Sequence, residues 1–215
     1  MVAHHLGDAL PAGAAPLRNE PVQARSTARL SALLNAAAAV VDEIGYERLT
    51  TAMVAEKAGA SIGTVYRYFP DRIAVLQSLS ARNLSEFSAR GLLGAAASEA
   101  TSWPVVVEAA IDGIAGFFRS EPGFKSLRFG DTLDVRPRAS AATGNGTVAR
   151  QLATILSERC ALDDNADLLF RVEVALELAD TLLARAFAFK ASGEQKFVAE
   201  ARKVAVDYLA GYYAR

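Results

Sequence analysis

From Ser26 onward, the chain repeats apolar residues at the spacing of one helix face. These are Leu30, Leu33, Leu34, Ala37, Val41 and Ile44, at offsets of 3, 4, 7, 11 and 14 from the first of them. Gly45 follows, where the end of a helix favours a residue with positive φ. The pattern predicts a first helix from Ser26 to about Ile44.

Two much shorter apolar patterns come next. Thr50 is suited to cap a helix that carries Met53, Val54 and Ala58 and stops at Gly59. A third helix is predicted from Ser61 to about Phe69, because Pro70 disfavours helical geometry in the residue before it. Two short helices joined by a tight turn with glycine are typical of a helix-turn-helix.

The rest of the chain keeps the helical period, and no run alternates apolar and polar residues long enough to predict a strand. A loop rich in Gly, Pro, Ser, Thr and Asn is predicted at 130–147, after a short helical turn near Phe124 to Phe129. The further predicted helices are Asp71 to about Ala97, Val105 to Arg119 with its start at Trp103-Pro104, Val148 to Cys160, Ala166 to Phe189 and Glu194 to Tyr213. The fold class is therefore all-α.

Residues 1–21 form no apolar face and contain Pro11, Pro16 and Pro21, so a flexible N-terminal tail is expected. No basic residue precedes an apolar core of the length that a secretory signal needs. His4 and His5 supply too few ligands for a metal ion, and no metal site is predicted.

The composition argues against a membrane-spanning protein and against one held by an intramolecular disulfide. Of 215 residues, 52% are hydrophobic and 22% are charged. The longest stretch without a charge, 30–41, has 12 residues, whereas a membrane-spanning helix needs about 20. Cys160 is the single cysteine, which excludes an intramolecular disulfide and fits a reducing compartment. We expect a cytoplasmic protein with no membrane partner.

Catalysis finds little support in the sequence. Both histidines lie in the N-terminal tail, and no histidine is suggested as a partner for Cys160. Neither H-E-x-x-H nor G-x-S-x-G nor a phosphate-binding glycine loop is present. We predict that the chain is not an enzyme and uses no cofactor.

The predicted third helix has the dimensions and chemistry of a groove-binding helix. About 9 residues at 1.5 Å each give about 13 Å, which fits a major groove about 12 Å wide. Ile62, Val65 and Phe69 are expected to face inward. The outward face then carries hydroxyls, phenols, a glycine and Arg67, and an arginine can bond guanine O6 and N7 together.

In this segment the sequence resembles the TetR family of transcriptional repressors. The resemblance covers roughly residues 26–85 and rests on Gly45-Tyr46, on Thr50 and on Ala55 to Phe69, A-E-K-A-G-A-S-I-G-T-V-Y-R-Y-F. Departures are mild, since Ala60 replaces the commoner Val, and Arg72 stands where Lys is usual and keeps the positive charge.

The resemblance implies a homodimer that binds a near-palindromic double-stranded DNA operator. It divides the chain into a flexible tail at 1–21, a helix-turn-helix DNA-binding domain at 22–70, and a helical ligand-binding and dimerisation domain at 71–215. Carried over by position, the DNA-binding residues are Thr50, Ser61, Gly63, Thr64, Tyr66, Arg67, Tyr68 and Arg72. Thr64, Tyr66 and Arg67 are the candidates for base or groove contact, and Ser61, Tyr68, Thr50 and Arg72 are the candidates for phosphate contact. Arg25 and Arg29 are further candidates for the DNA backbone.

These observations predict a sequence-specific transcriptional regulator, a repressor released from its operator by a small-molecule inducer. The helix from Asp71 to about Ala97 would join the two domains and act as the lever. Two alternatives stay open, a helix-turn-helix protein without ligand control and, with less support, a helical enzyme. The net charge of −1 does not oppose DNA binding, because residues 21–85 carry 7 basic and 5 acidic groups and 86–215 carry 15 and 17.

Signals for the ligand site are weaker. Gly113 and Gly116 lie inside a predicted helix, where each glycine destabilises the helix by about 1 kcal/mol relative to alanine. Either close helix packing or space for a ligand should offset this cost. Nearby aromatic groups either line a pocket or fill the core, and nearby polar groups are candidates to orient a ligand. The candidate ligand-binding residues are Trp103, Asp112, Phe117, Phe118, Arg128, Phe129, Phe170 and Asp180.

The helix from Ala166 is apolar on most of its surface, apart from an acidic stripe of Glu173, Glu177 and Asp180 that is expected to face solvent. Such a helix must be covered on nearly all sides, which a four-helix interface between two subunits would supply. We therefore predict that residues 166–213 form the dimer interface.

Overall fold

The computed structural model describes residues 20–97, 101–127 and 144–214, and these form helices and connecting turns without a strand. The all-α prediction is confirmed for this part of the chain. No helix in it combines the length and apolar character needed to cross a lipid bilayer. His4, His5, Arg128 and Phe129 and most of the predicted tail and loop lie outside the described residues.

Three α-helices and a 3-10 turn make up the N-terminal part. These are α1 (Glu20–Ile44), the turn Tyr46–Arg48, α2 (Thr51–Lys57) and α3 (Ile62–Tyr68). The first helix begins six residues before the predicted Ser26. Pro21 does not prevent this, because the N–H groups in the first turn of a helix have no acceptor within the helix, so the N–H that proline lacks is not needed there. Gly45 has the predicted positive φ, 82°, and its N–H donates to the Val41 carbonyl at 2.9 Å.

The prediction of a single helix from Asp71 to Ala97 is wrong for the middle of this segment. The chain forms α4 (Arg72–Glu86), one turn of π-helix (Phe87–Gly91) and α5 (Leu93–Ala97). The π-helical turn is called the π segment below. It buries Phe87 and places the Gly91 carbonyl against Gly113 of the following helix. The backbones of the π segment and of the following helix therefore approach each other closely at this point.

The C-terminal part consists of α6 (Trp103–Ser120), α7 (Phe124–Leu127), α8 (Gly144–Cys160), α9 (Ala166–Phe187) and α10 (Gln195–Ala210). Helices α9 and α10 pack along each other, and both contact α6. Their core is one apolar cluster that joins these helices to the π segment and α5. The helix order agrees with the sequence prediction, although α8 begins four residues earlier and α9 and α10 end earlier.

A second apolar cluster lies in the N-terminal part, and two elements connect it to the rest. Val75, Leu76 and Leu79 of α4 belong to this cluster, and so does Leu127 of α7. The first half of α4 therefore packs with the helix-turn-helix rather than with the C-terminal helices. The connecting role of α4 and a short helical turn near Phe124 were predicted, but the second connection that α7 provides was not.

The turn before α7 is held to α1 by a side chain. The Gly123 N–H donates to Asp42 Oδ1 at 3.1 Å, and Lys125 Nζ lies 3.2 Å from the same oxygen. Gly123 has φ +75°, and a Cβ there would meet the Ala38 carbonyl oxygen at 2.9 Å. Only glycine fits this approach, which joins the C-terminal end of α6 to the first helix.

Candidate nucleic-acid interface

Local hydrogen bonds build the turn between α2 and α3. The Thr50 hydroxyl accepts the Met53 N–H at 3.2 Å and so caps α2. At the other end, the Gly59 N–H donates to the Glu56 carbonyl and the Ala60 N–H to the Ala55 carbonyl. This is a Schellman motif, which requires positive φ, and Gly59 supplies it at 58°. The sharp turn that the motif makes presents α3 on the outside of the domain.

Helix α3 begins and ends where the sequence predicted. Ser61 caps it by accepting the Thr64 N–H at 3.2 Å, and the Ser61 and Thr64 hydroxyl oxygens lie 2.9 Å apart. Phe69 leaves helical geometry immediately before Pro70. Of the residues expected to face inward, Val65 and Phe69 are buried, but Ile62 is 43% exposed. Ile62 occupies the first turn of α3, where no neighbouring helix covers it.

The outward face of α3 carries the predicted groove-contacting side chains. Tyr66 is 54% exposed, and its hydroxyl oxygen accepts a long hydrogen bond from Thr51 Oγ1 at 3.4 Å. Arg67 is exposed, with its guanidinium carbon 5.5 Å from the centre of the Tyr68 ring. Gly63 is exposed, and the nearest atom to an added Cβ would be Ser61 Oγ at 3.9 Å. The face is therefore open to a close partner.

Three arginines surround one hollow beside α3. Arg25 and Arg29 of α1 line it together with Arg67, and its volume is about 880 Å³. Tyr68 forms part of its wall, and the Tyr68 hydroxyl lies 3.3 Å from Ser26 Oγ. Within the described ranges, none of these three guanidinium groups has a carboxylate partner. Unpaired arginines gathered around one concave surface favour an anionic partner such as a phosphate backbone.

Other arginines of the N-terminal half are engaged within the protein. Arg48 Nε donates to the Ile44 carbonyl at 2.7 Å, and Arg82 Nη1 donates to Asn35 Oδ1 at 2.7 Å. Arg72, a candidate phosphate ligand, is half-buried and donates through Nη1 to the Glu47 carbonyl at 2.9 Å. This bond ties the start of α4 to the 3-10 turn. The contrast singles out Arg25, Arg29 and Arg67 as the available charges.

The candidate ligand-binding residues do not form one site. Phe117 and Phe118 are buried and pack edge-on against Phe124 at 5.6 and 5.2 Å between ring centres. Trp103 is buried and donates its indole N–H to the Ala214 carbonyl at 2.6 Å. These aromatic groups fill the core and anchor the C-terminal end of the described chain.

The remaining described candidates lie at separate places. Asp112 pairs with Arg202 of α10 at 2.6 Å, and Phe170 is 53% exposed on the outer face of α9. Asp180 is buried, so the expectation that the whole acidic stripe faces solvent is wrong for this residue. The Ala175 and Ala179 side chains beside it are buried too, which places this turn of α9 within the helical core.

The single cysteine shows no sign of activation. Burial raises the pKa of the Cys160 thiol, which stays protonated at neutral pH. The structure gives this residue no catalytic arrangement among the described side chains.

Comparison with known proteins agrees with this geometry. Residues 33–79 match the family model described as bacterial regulatory proteins, tetR family, and residues 101–213 match the tetracyclin repressor-like C-terminal domain. The HTH-type transcriptional repressor KstR of Rhodococcus jostii is 38% identical over 63 residues, 29% of this chain and 30% of that protein. The aligned segment thus spans under a third of the length of the curated relatives that the chain matches.

Solved structures extend the similarity to nearly the whole chain. A TetR-family transcriptional regulator from Streptomyces coelicolor is 30% identical, with a TM-score of 0.71 over 86% of this chain and 99% of that one. A TetR variant from Acinetobacter baumannii, crystallised with minocycline, shares the fold at 19% identity and a TM-score of 0.53, over 86% and 95%. The helix-turn-helix, the C-terminal helices and these matches together show that the chain belongs to the TetR family of DNA-binding transcriptional regulators.

Proposed function

We propose that this protein is a repressor that binds a near-palindromic operator as a homodimer and is released from it by a small molecule. The observation that carries the proposal is the group of Arg25, Arg29 and Arg67, unpaired within the described residues and set around one hollow beside the exposed face of α3. The KstR relatives are named as repressors, and we extend that role to this chain. We place it in the cytoplasm.

On this proposal, each residue near α3 has a distinct task. Arg67, Thr64 and Tyr66 enter the major groove, where an arginine can pair with one guanine through two hydrogen bonds. Gly63 allows the backbone to approach. Thr50, Ser61 and Tyr68, together with Arg25 and Arg29, contact phosphates and fix the orientation of the helix. Arg72 keeps its bond to the Glu47 carbonyl and offers its remaining N–H groups to a phosphate.

The second subunit joins through α9 and α10. Phe170 and Leu178 are 53% and 42% exposed and lie about two turns apart on α9, so about half of each side chain stays uncovered in one chain. Tyr212, which follows α10, is 52% exposed, and the Arg171 guanidinium carbon lies 4.0 Å from its ring centre. A second copy packed on this face buries these apolar side chains and places two α3 helices on one side of the dimer.

We predict that the wild-type protein sediments as a dimer at micromolar concentration and that Leu178→Glu shifts it towards monomer. A buried carboxylate at a symmetric interface is present twice and lacks a partner, so it weakens association strongly. Ile73→Glu is the matched control, because Ile73 is 40% exposed but lies on α4. A wild-type protein that sediments as a monomer contradicts the proposed interface.

Ligand control is tested with a mobility-shift assay on the DNA that flanks this protein's own gene. We expect a discrete complex with that DNA that dissociates when an inducer is added, because a ligand shifts the equilibrium towards the state it prefers. A complex that resists every tested ligand favours a helix-turn-helix protein without ligand control. Absence of any complex contradicts regulation of the adjacent genes by this protein.

A further inference from the structure

A cavity of about 310 Å³ lies between the π segment, α5 and α8. Its wall is mainly aliphatic, with Leu92, Leu93 and Ile155 as the largest side chains. Leu93 is 57% exposed, which leaves apolar surface at the cavity mouth. None of the eight residues first expected to bind a ligand lines this cavity. Its size is at the lower end of the range for small-molecule sites.

The polar groups of the cavity are uncharged. They come from Ser88, Gln151 and Thr154, and no described lining residue is ionisable. Gln151 Oε1 is buried and has no hydrogen-bond partner in the described part of the chain. A buried acceptor without a partner is costly, and a ligand donor that meets Oε1 after a rotation of the Gln151 side chain into the cavity would remove this cost. The missing partner is therefore a donor.

Two other cavities have a different chemistry. The hollow beside α3 is lined by Arg25, Arg29 and Arg67 and suits an anion. A cavity of about 350 Å³ beside α10 is lined by charged residues that include Glu108 and Arg202. Among these three, the cavity beside the π segment alone combines a mainly aliphatic wall with a lining residue, Gln151, whose buried side-chain oxygen lacks a partner.

The wall of this cavity is joined to the DNA-binding part through the π segment. Arg90, next to the lining residue Ala89, contacts Glu121 at 2.5 Å and Glu86 at 3.2 Å. Hydrogen bonding to Glu121, and then to Glu86, raises the pKa of Arg90, so this cation stays charged. Glu121 precedes the turn whose Gly123 N–H is held by Asp42 of α1.

We propose that this cavity binds the inducer and that the inducer is an uncharged, largely apolar small molecule with a hydroxyl or N–H group that donates to Gln151 Oε1. This assignment rests on the proposed function, since it identifies the site and the chemical class of the ligand that controls operator binding. Entry of the ligand moves the π segment and, through Glu121 and Gly123, changes the position of α1 and its arginines.

The test uses three probes that share an eight-carbon chain and differ in the head group: 1-octanol, octanoate and octylamine at neutral pH. Their affinities for the full-length protein are measured by ligand-observed NMR titration without DNA. We expect 1-octanol to bind at least about tenfold more tightly than octanoate, because the site offers a carboxylate no partner. Octylamine is expected to bind weakly, because its charge must leave water.

Two substitutions at Gln151 then test the assignment of the acceptor. Gln151→Leu is expected to weaken 1-octanol binding about fivefold, the effect of one lost hydrogen bond. Gln151→Glu is expected to reverse the preference, so that octylamine binds more tightly than 1-octanol. The matched controls are Gln195→Leu and Gln195→Glu, because Gln195 lies exposed on α10 outside this cavity. Neither control should change the order of the probes.

The outcomes separate this assignment from the proposed function. If 1-octanol releases operator DNA but its binding is unchanged in both Gln151 variants, the assigned site is wrong and ligand control stands. If the Gln151 variants change probe binding as expected but no probe releases DNA, the site stands and ligand control through it fails. Equal binding of all three probes, or binding of none, overturns the assignment.

Discussion

Replacement of Arg67 by alanine is expected to abolish specific operator binding while leaving the free energy of unfolding almost unchanged. The side chain is exposed, and its one described contact is a guanidinium carbon 5.5 Å from the Tyr68 ring centre. An exposed contact of this kind contributes about 0.5–1 kcal/mol. By contrast, a bidentate arginine–guanine pair is worth about 1–3 kcal/mol, and a dimer makes two. Loss of both pairs costs about 2–6 kcal/mol, so operator affinity should fall at least about 30-fold, towards the level of non-specific binding.

Two further variants separate base contact from charge. Arg67→Lys keeps the positive charge but cannot form the planar two-bond contact, so it should lose most of the specific affinity and keep the non-specific affinity. Arg48→Ala removes a charge from the same part of the chain, on the 3-10 turn, and should change operator binding much less. Affinities come from fluorescence anisotropy at fixed salt. Unchanged operator affinity in Arg67→Ala would show that Arg67 takes no part in recognising the operator sequence.

The two glycines of α6 are expected to respond in opposite directions to alanine. An added Cβ at Gly113 would overlap the Gly91 carbonyl oxygen, a backbone atom of the π segment that cannot turn aside. Such overpacking typically costs about 1–3 kcal/mol. At Gly116, one turn further along, nothing lies within 4 Å of the added Cβ. Gly116→Ala should therefore raise the free energy of unfolding by up to about 1 kcal/mol, as helix propensity predicts.

The measurement is urea denaturation of the wild type and both variants, with equal slopes checked first. Gly116→Ala is the matched control, because it makes the same chemical change in the same helix. We expect the variants to differ by about 2–4 kcal/mol in the free energy of unfolding. Similar stabilities would contradict the close approach of the π segment to α6.

Local signals predicted the N-terminal part well. Gly45 and Gly59 have the positive φ values that their places at helix ends suggested, and Thr50 and Ser61 cap α2 and α3. These features depend on a few neighbouring residues, so a sequence contains them directly. The exposure of Ile62 was not predictable in this way, since it depends on which helix covers the first turn of α3.

Features that depend on contacts between residues far apart in the chain could not be predicted from the sequence. The π segment keeps Leu84 and Phe87 on the inward face, so the apolar pattern gives no sign of the extra residue in that turn. Aromatic content could not distinguish a pocket from the observed packing of Phe117 and Phe118 on Phe124. Gln151 gave no signal, because the lack of a partner for a side-chain oxygen is visible only in three dimensions.

The most direct test of the central claim is selection of bound sequences from a random double-stranded DNA library by the full-length protein. We expect enrichment of an inverted repeat whose half-sites lie about 34 Å apart, or a multiple of this, because two α3 helices of one dimer must enter successive major grooves on one face of the duplex. The same selection with Arg67→Ala should enrich no motif. Failure of the wild type to enrich any sequence, or enrichment of an unrepeated site by both proteins, would contradict operator recognition by the paired α3 helices.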